Sequence, residues 1–407
     1  MADRILTTHV GSLPRPQELI ELNHRRVVGE DVDEAAFEGL LAGAVEDVVR
    51  RQRDAGVDLV NDGELGHTMA FEYDYGAWRS YIVRRLGGVE LLEIEAWGRP
   101  VSTHKVADGP GDFVLGTMRE RRDWNRFDAA YADPHSGCAI PEQLLSHWSP
   151  VVRGPVTYTG QEALARDIAN LKGALDAAGI EEGWMNAVAP ASCARVANEH
   201  YATDEELLYA VADAMREEYV AIVDAGLILQ LDDPAIAESW DQAAEEPSLE
   251  SYKRYTMIRI DALNHAIRGL PPERIRFHLC WGSWHGPHFT DLPMADLVDV
   301  MLAVNAGAYS FEAANARHEH EWRLWEDVKL PEGKVLMPGV VSHATNVIEH
   351  PELVADRIAR YAKVVGRESV VASTDCGLGG RVHPQIAWAK LEALAQGAEL
   401  ASQRLWR

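Results

Sequence analysis

The sequence predicts an α/β fold of the (β/α)8 TIM-barrel type, with an elaborated loop or lid after the first strand. Three observations point there. Eight short apolar or β-branched runs each end in polar residues or glycine, most pairs of runs are separated by segments with helical spacing of apolar residues, and ionisable residues gather at one end of the runs. A doubly wound sheet with misread strands is the alternative.

The first expected strand is "VDLVNDGE" (57–64), preceded by the turn-forming "THVGSLPRP" and a helix over 33–56. The second is "GPVTYTG" (154–160). Residues 65–153 between them are too long for one crossover helix, and "EAWGRPVSTHKVADGPGDF" (95–113) reads as a loop or small subdomain over the barrel mouth. "WMNAVAP" (184–190), "LILQLDD" (227–233), "IRFHLCWG" (275–282), "AYSFEAAN" (308–315), "VLMPGVV" (335–341) and "VVASTDCG" (370–377) complete the set. Helical spacing is clearest at 204–226 and 351–366. With no internal repeat or low-complexity linker, residues 1–407 are expected to form one domain carrying the 65–153 insertion.

Composition narrows the class of function. The chain has 407 residues, 47 % of them hydrophobic, and a net charge of -25, which repels phosphate backbones and anionic lipid. No nucleic-acid or membrane partner is expected. The N-terminus lacks a basic region followed by an apolar run, and no window reaches bilayer-spanning length, so a cytoplasmic location is expected. Four scattered cysteines in a reducing compartment are candidates for core residues, metal ligands or nucleophiles rather than disulfides.

Glu64, Asp232, Asp233, His278, Cys280, Glu312 and Cys376 all stand at or near the C-terminal ends of their runs, the face where barrel active sites are built. In an extended strand, His278-x-Cys280 presents both side chains on one face. With Glu312 and Cys376 from two further strands, the set is two sulfurs, one imidazole and one carboxylate, which suits Zn2+ better than magnesium or calcium. Singly, each of these residues is as readily a core thiol or a satisfied core histidine.

"FHLCWG", "YSFEAAN" and "STDCGL" resemble the three zinc-ligand segments of the cobalamin-independent methionine synthase family, and "TTHVGSLPRP", "NDGELGH", "GPVTYTG" and "QLDDPAIAE" resemble its remaining motifs. Within it, "HLCWGSWHGPHFTDLP", "RHEHEWRLWEDVKLPEG" and "STDCGLGGRVHPQIAWAKLEAL" look most like the short branch that includes epoxyalkane:coenzyme M transferase. The resemblance implies zinc-activated alkylation of a small thiol by a small electrophile, with coenzyme M and a short-chain epoxide as the expected pair. Homocysteine with a methyl donor other than polyglutamyl folate is the alternative, and homo-oligomerisation is compatible with either.

An opening epoxide needs a proton; Tyr73, Tyr75, His67 and His285 are candidate donors, of which Tyr73 and His285 are retained as catalytic candidates. By the resemblance Ser12 lies near the thiol substrate's acidic end, and Glu64 and Asp232 match positions that hold homocysteine's amino group. Arg15 or Arg381 could meet a sulfonate. Trp281 and Trp284 could wall an apolar pocket.

Overall fold

A computed structural model describes residues 3–27, 29–69, 77–93, 115–116, 120–138 and 148–406. Its ten strands are β1 (Leu6–Thr7), β2 (Leu86–Glu93), β3 (Trp148–Tyr158), β4 (Trp184–Val188), β5 (Ala197–Asn198), β6 (Ile228–Asp232), β7 (Ile275–Leu279), β8 (Ala308–Phe311), β9 (Val335–Val341) and β10 (Val371–Thr374). Seven make one curled sheet in the order β1-β10-β9-β8-β7-β6-β4, with every pair parallel.

Parallel strands covered by helices are buried on both faces, which is why they read as continuous apolar runs; β4, β7 and β8 are buried at every residue. The helices that cover them begin where short polar side chains cap free N–H groups. Asp33 accepts from Ala35 N and Ala36 N, Thr203 from Glu206 N, and Ser248 from Ser251 N. Beyond the sheet's two edges lies the segment 57–60. Asp58 N and Leu59 N donate to Thr7 O, and Val60 makes a parallel bridge with Gly183 just before β4.

Three strand assignments change. "VDLVNDGE" (57–64) forms no strand and contributes only the isolated Val60–Gly183 bridge. "GPVTYTG" is not in the parallel sheet: β3 pairs antiparallel with β2 and, in parallel, with β5, in a separate three-stranded sheet. Instead β1, inside what reads as a turn-forming segment, joins the parallel sheet. Thr7 N donates to Asp58 Oδ2 at 2.8 Å, and Asp58 also pairs with Arg4. Long-range contacts therefore hold a strand of only two residues.

Within 65–153 the described residues form the helix Ala77–Arg85, β2, the short helices Arg122–Arg126 and Asp128–Ala132, and the start of β3. Residues 95–113 lie outside the described residues. Among the described residues, no helix is long and apolar enough to cross a membrane.

Candidate metal centre

Alternation along β7 sends Arg276, His278 and Cys280 to one side of the sheet. Cys376 arrives just after β10 and Glu312 just after β8. The ligand atoms of His278, Cys280 and Cys376 all lie within 4.8 Å of one another. The two sulfurs are 3.9 Å apart, and Cys280 Sγ is 3.6 Å from Glu312 Oε1. All four expected ligands thus converge.

His278 Nδ1 is 3.1 Å from Ser310 Oγ, while its buried Nε2 has no partner. One ring nitrogen is fixed by a hydroxyl and the other is left bare, which is how a ligating histidine is oriented. The paired sulfurs are pushed in opposite directions. Their mutual hydrogen bond drives the Cys376 thiol well below its usual range and, together with burial, pushes Cys280 up. Two buried sulfurs beside a bare imidazole nitrogen and a carboxylate are a donor set that zinc fits. Glu312 is pushed up to about 8 by burial and the neighbouring Asp375; its oxygens accept from Trp281 N at 3.1 Å and Asn315 Nδ2 at 2.7 Å.

Beside the sulfurs, Glu64 and Asp232 are largely buried and joined through one amide. Asn186 Nδ2 donates to Glu64 Oε1 and, at 2.8 Å, to Asp232 Oδ2. Gln230 Nε2 donates to Asp232 Oδ1 at 2.9 Å. Burial pushes Glu64 up to about 8 and Asp232 well above the carboxylate range. Glu64 has a φ of 58°, and Gly11 a φ of 146° with its α-carbon facing the Glu64–Asn186 contact. A β-carbon at Gly11 would collide with both side chains. Gly11→Ala is therefore expected to displace Glu64 or Asn186 and lower thermal stability measurably, read by calorimetry; an unchanged melting temperature would refute this packing constraint.

The other expected residues fare differently. Ser12 Oγ accepts from Arg15 Nη1 at 3.2 Å, and Ser12 O accepts from Leu378 N and Gly379 N, which brings this loop against the Cys376 segment. Arg15 is buried and donates to the backbone carbonyls of Glu64 and His67, so it builds the loop that carries Glu64. Arg381 Nε donates to Ser283 Oγ at 2.8 Å. His285 Nε2 lies 3.5 Å from His343 O, and burial lowers its pKa. Tyr73 and Tyr75 lie outside the described residues. His67 Nδ1 is 3.8 Å from Glu64 Oε2, and burial drives its pKa well below the usual value.

Two groups were missed. Asn186 sits inside the quoted run "WMNAVAP", where a polar residue on a buried strand was signal enough. His343 follows β9 just as Glu312 follows β8, so the strand-end rule applied to it too. It is fully buried with Nδ1 unpartnered, and burial pushes it down to about 3. Ligand atoms of Glu312, His343 and Asp375 also lie within 4.8 Å of one another.

Comparison with known proteins follows this geometry. Residues 140–400 match the family model "Cobalamin-independent synthase, Catalytic domain". The chain is 22% identical over 405 residues to the methionine synthase of Thermococcus kodakarensis, covering 98% of this chain and 94% of that one. It is 23% identical over 432 residues to the 2-hydroxypropyl-CoM lyase of Xanthobacter autotrophicus, covering 98% and 96%. A solved B12-independent methionine synthase from Shewanella sp. W3-18-1, in complex with selenomethionine, superposes with a TM-score of 0.69 at 21% identity, covering 99% of each chain, which is a likeness of fold. Since the matched region takes in β4 to β10 and with them all four converging ligands, the chain belongs to the cobalamin-independent synthase catalytic-domain family.

Proposed function

We propose that the protein is a zinc-dependent thiol S-methyltransferase whose acceptor is homocysteine. The observation that carries this reading is the Glu64–Asn186–Asp232 arrangement. Among the described residues, Glu64 forms an ion pair only with His67, and Asp232 forms none. Two desolvated carboxylates sharing one amide are a receptor for an ammonium, because a cation between them relieves the burial that raises their pKa values. Homocysteine has that ammonium. Coenzyme M has none, and its sulfonate would be repelled.

Coenzyme M, the thiol expected from motif likeness, is the second reading. One relative named 2-hydroxypropyl-CoM lyase favours it, whereas several relatives are named methionine synthase.

His278, Cys280, Glu312 and Cys376 would hold the zinc, which when bound lowers the pKa of an arriving thiol so that it is nucleophilic at neutral pH. The protein's own groups do the rest. Glu64, Asp232 and Asn186 orient the amino end, and Ser12 meets the acidic end. The sulfur gives up its proton to solvent on binding, then gains a methyl group as the donor–methyl bond breaks and the demethylated donor leaves; His343, buried with Nδ1 bare, lines the site beside Glu312. The segment 57–60, hydrogen-bonded to β1 and bridged beside β4, supports reading the sheet as a closed (β/α)8 barrel, with 65–153 as an insertion over its mouth.

Calorimetry of the zinc-loaded protein with each thiol tests this. Homocysteine should bind with proton release, and Glu64→Gln/Asp232→Asn should weaken it roughly a hundredfold, the cost of leaving an ammonium without its charged partners. Coenzyme M binding tightly, with epoxide consumed and homocysteine ignored, would overturn the proposal.

A further inference from the structure

The loop after Cys280 and the segment after Glu312 carry residues that the proposed reaction does not use. His288 and His318 meet at Asp291. His288 Nδ1 is 3.1 Å and His318 Nε2 3.2 Å from Asp291 Oδ2, His318 Nδ1 is 2.8 Å from Glu321 Oε2, and His288 Nε2 is 3.0 Å from Trp284 O. The chain is sheltered, with side-chain exposures of 3% for His318 and 5% for Asp291. Every ring nitrogen in it faces an acceptor. An imidazole can donate from both nitrogens only when protonated, so both rings are cations, balanced by two carboxylates. Burial opposes those charges, but Asp291 and Glu321 outweigh it and hold His288 up to about 9 and His318 up to about 10.

Each cation lies against a tryptophan of the same loop. Trp281 is 4.1 Å from His318 and Trp284 is 4.0 Å from His288, centroid to centroid. Trp281 Nε1 donates to Leu292 O at 2.8 Å, and Glu321 Oε1 accepts from Met294 N at 2.8 Å. The loop is thus wrapped around the chain from 281 to 294. Its first two backbone N–H groups point at the metal centre. Trp281 N donates to Glu312 Oε1 at 3.1 Å and Gly282 N to Cys280 Sγ at 3.3 Å.

We infer that the Glu321–His318–Asp291–His288 chain is a positioning device for the metal centre, holding the 281–282 backbone so that its N–H groups fix the Cys280 sulfur and the Glu312 carboxylate. Buried ion pairs are weak contributors to net stability, so four charged groups spent on one loop find their use in geometry. Groups that orient ligands typically alter metal affinity by about 10–100-fold when removed. The inference rests on the metal reading above, and its test separates the two.

Zinc affinity by chelator competition and the absorption bands of the Co2+-substituted protein are to be measured for Asp291→Asn, His318→Gln and Glu321→Gln, with folding checked by circular dichroism. Asp291→Asn, which keeps the shape but strands two imidazolium rings, should bind zinc about 10–100-fold more weakly and shift the cobalt–thiolate bands. Glu321→Gln keeps one acceptor oxygen, so only one of His318 Nδ1 and Met294 N keeps its partner while Asp291 still pairs with both rings, and it should change both less than Asp291→Asn does. If Asp291→Asn does not fold, His318→Gln carries the same expectation. A folded Asp291→Asn or His318→Gln with zinc affinity within twofold of the parent and an unchanged cobalt spectrum would overturn the inference. A parent protein that binds no zinc, or binds it equally in Cys280→Ala, would overturn the metal reading itself and this inference with it.

Discussion

Cys280→Ala and Cys376→Ala are each expected to lose zinc and, with it, thiol alkylation. If a zinc site is worth about 10–16 kcal/mol in all, one ligand of four carries roughly 3–4 kcal/mol, a hundred- to thousandfold in affinity. The sulfurs are the softest donors of the set and lie 3.9 Å apart, so neither can be replaced by water without cost. Metal analysis after dialysis should find near-stoichiometric zinc in the parent and little in either variant. Glu312→Gln should retain more, because the carboxylate is the hardest and most exchangeable donor. Full occupancy in both cysteine variants would remove the site; equal loss in all three would make Glu312 a permanent ligand.

The convergence of the four candidate ligands was legible in the sequence because its cause is local. A His-x-Cys pair on an extended strand must point one way, and strand ends of a parallel sheet lie at one face, so composition and period alone bring His278, Cys280, Glu312 and Cys376 together. The parallel strands were legible for the same reason, since burial on both faces leaves unbroken apolar runs. What failed depended on distance in the chain. Leu6–Thr7 is a strand through β10 and Asp58, and "GPVTYTG" has the β-branched texture of a barrel strand but finds its antiparallel partner in Leu86–Glu93, whose "LGGVELLE" contains two glycines. The His288–Asp291–His318 chain joins residues that show no pattern until the fold closes, although their unusual density of histidine and tryptophan was visible.

Lys390→Met is expected to be strongly destabilising. Lys390 is fully buried on the helix Pro384–Leu405, and its ammonium donates to Glu349 Oε2 at 2.9 Å and Val347 O at 2.6 Å. The other Glu349 oxygen accepts from Ser342 N at 2.8 Å, one residue before His343. Removing the ammonium leaves a carboxylate buried among apolar neighbours, and breaking a buried pair from one side costs about 3–5 kcal/mol. Urea denaturation should show a loss of that size, and Glu349→Gln added to Lys390→Met should recover most of it, because no uncompensated charge then remains and the amide oxygen still accepts from Ser342 N. A single variant within about 1 kcal/mol of the parent would show that Glu349 sheds its charge by protonation instead.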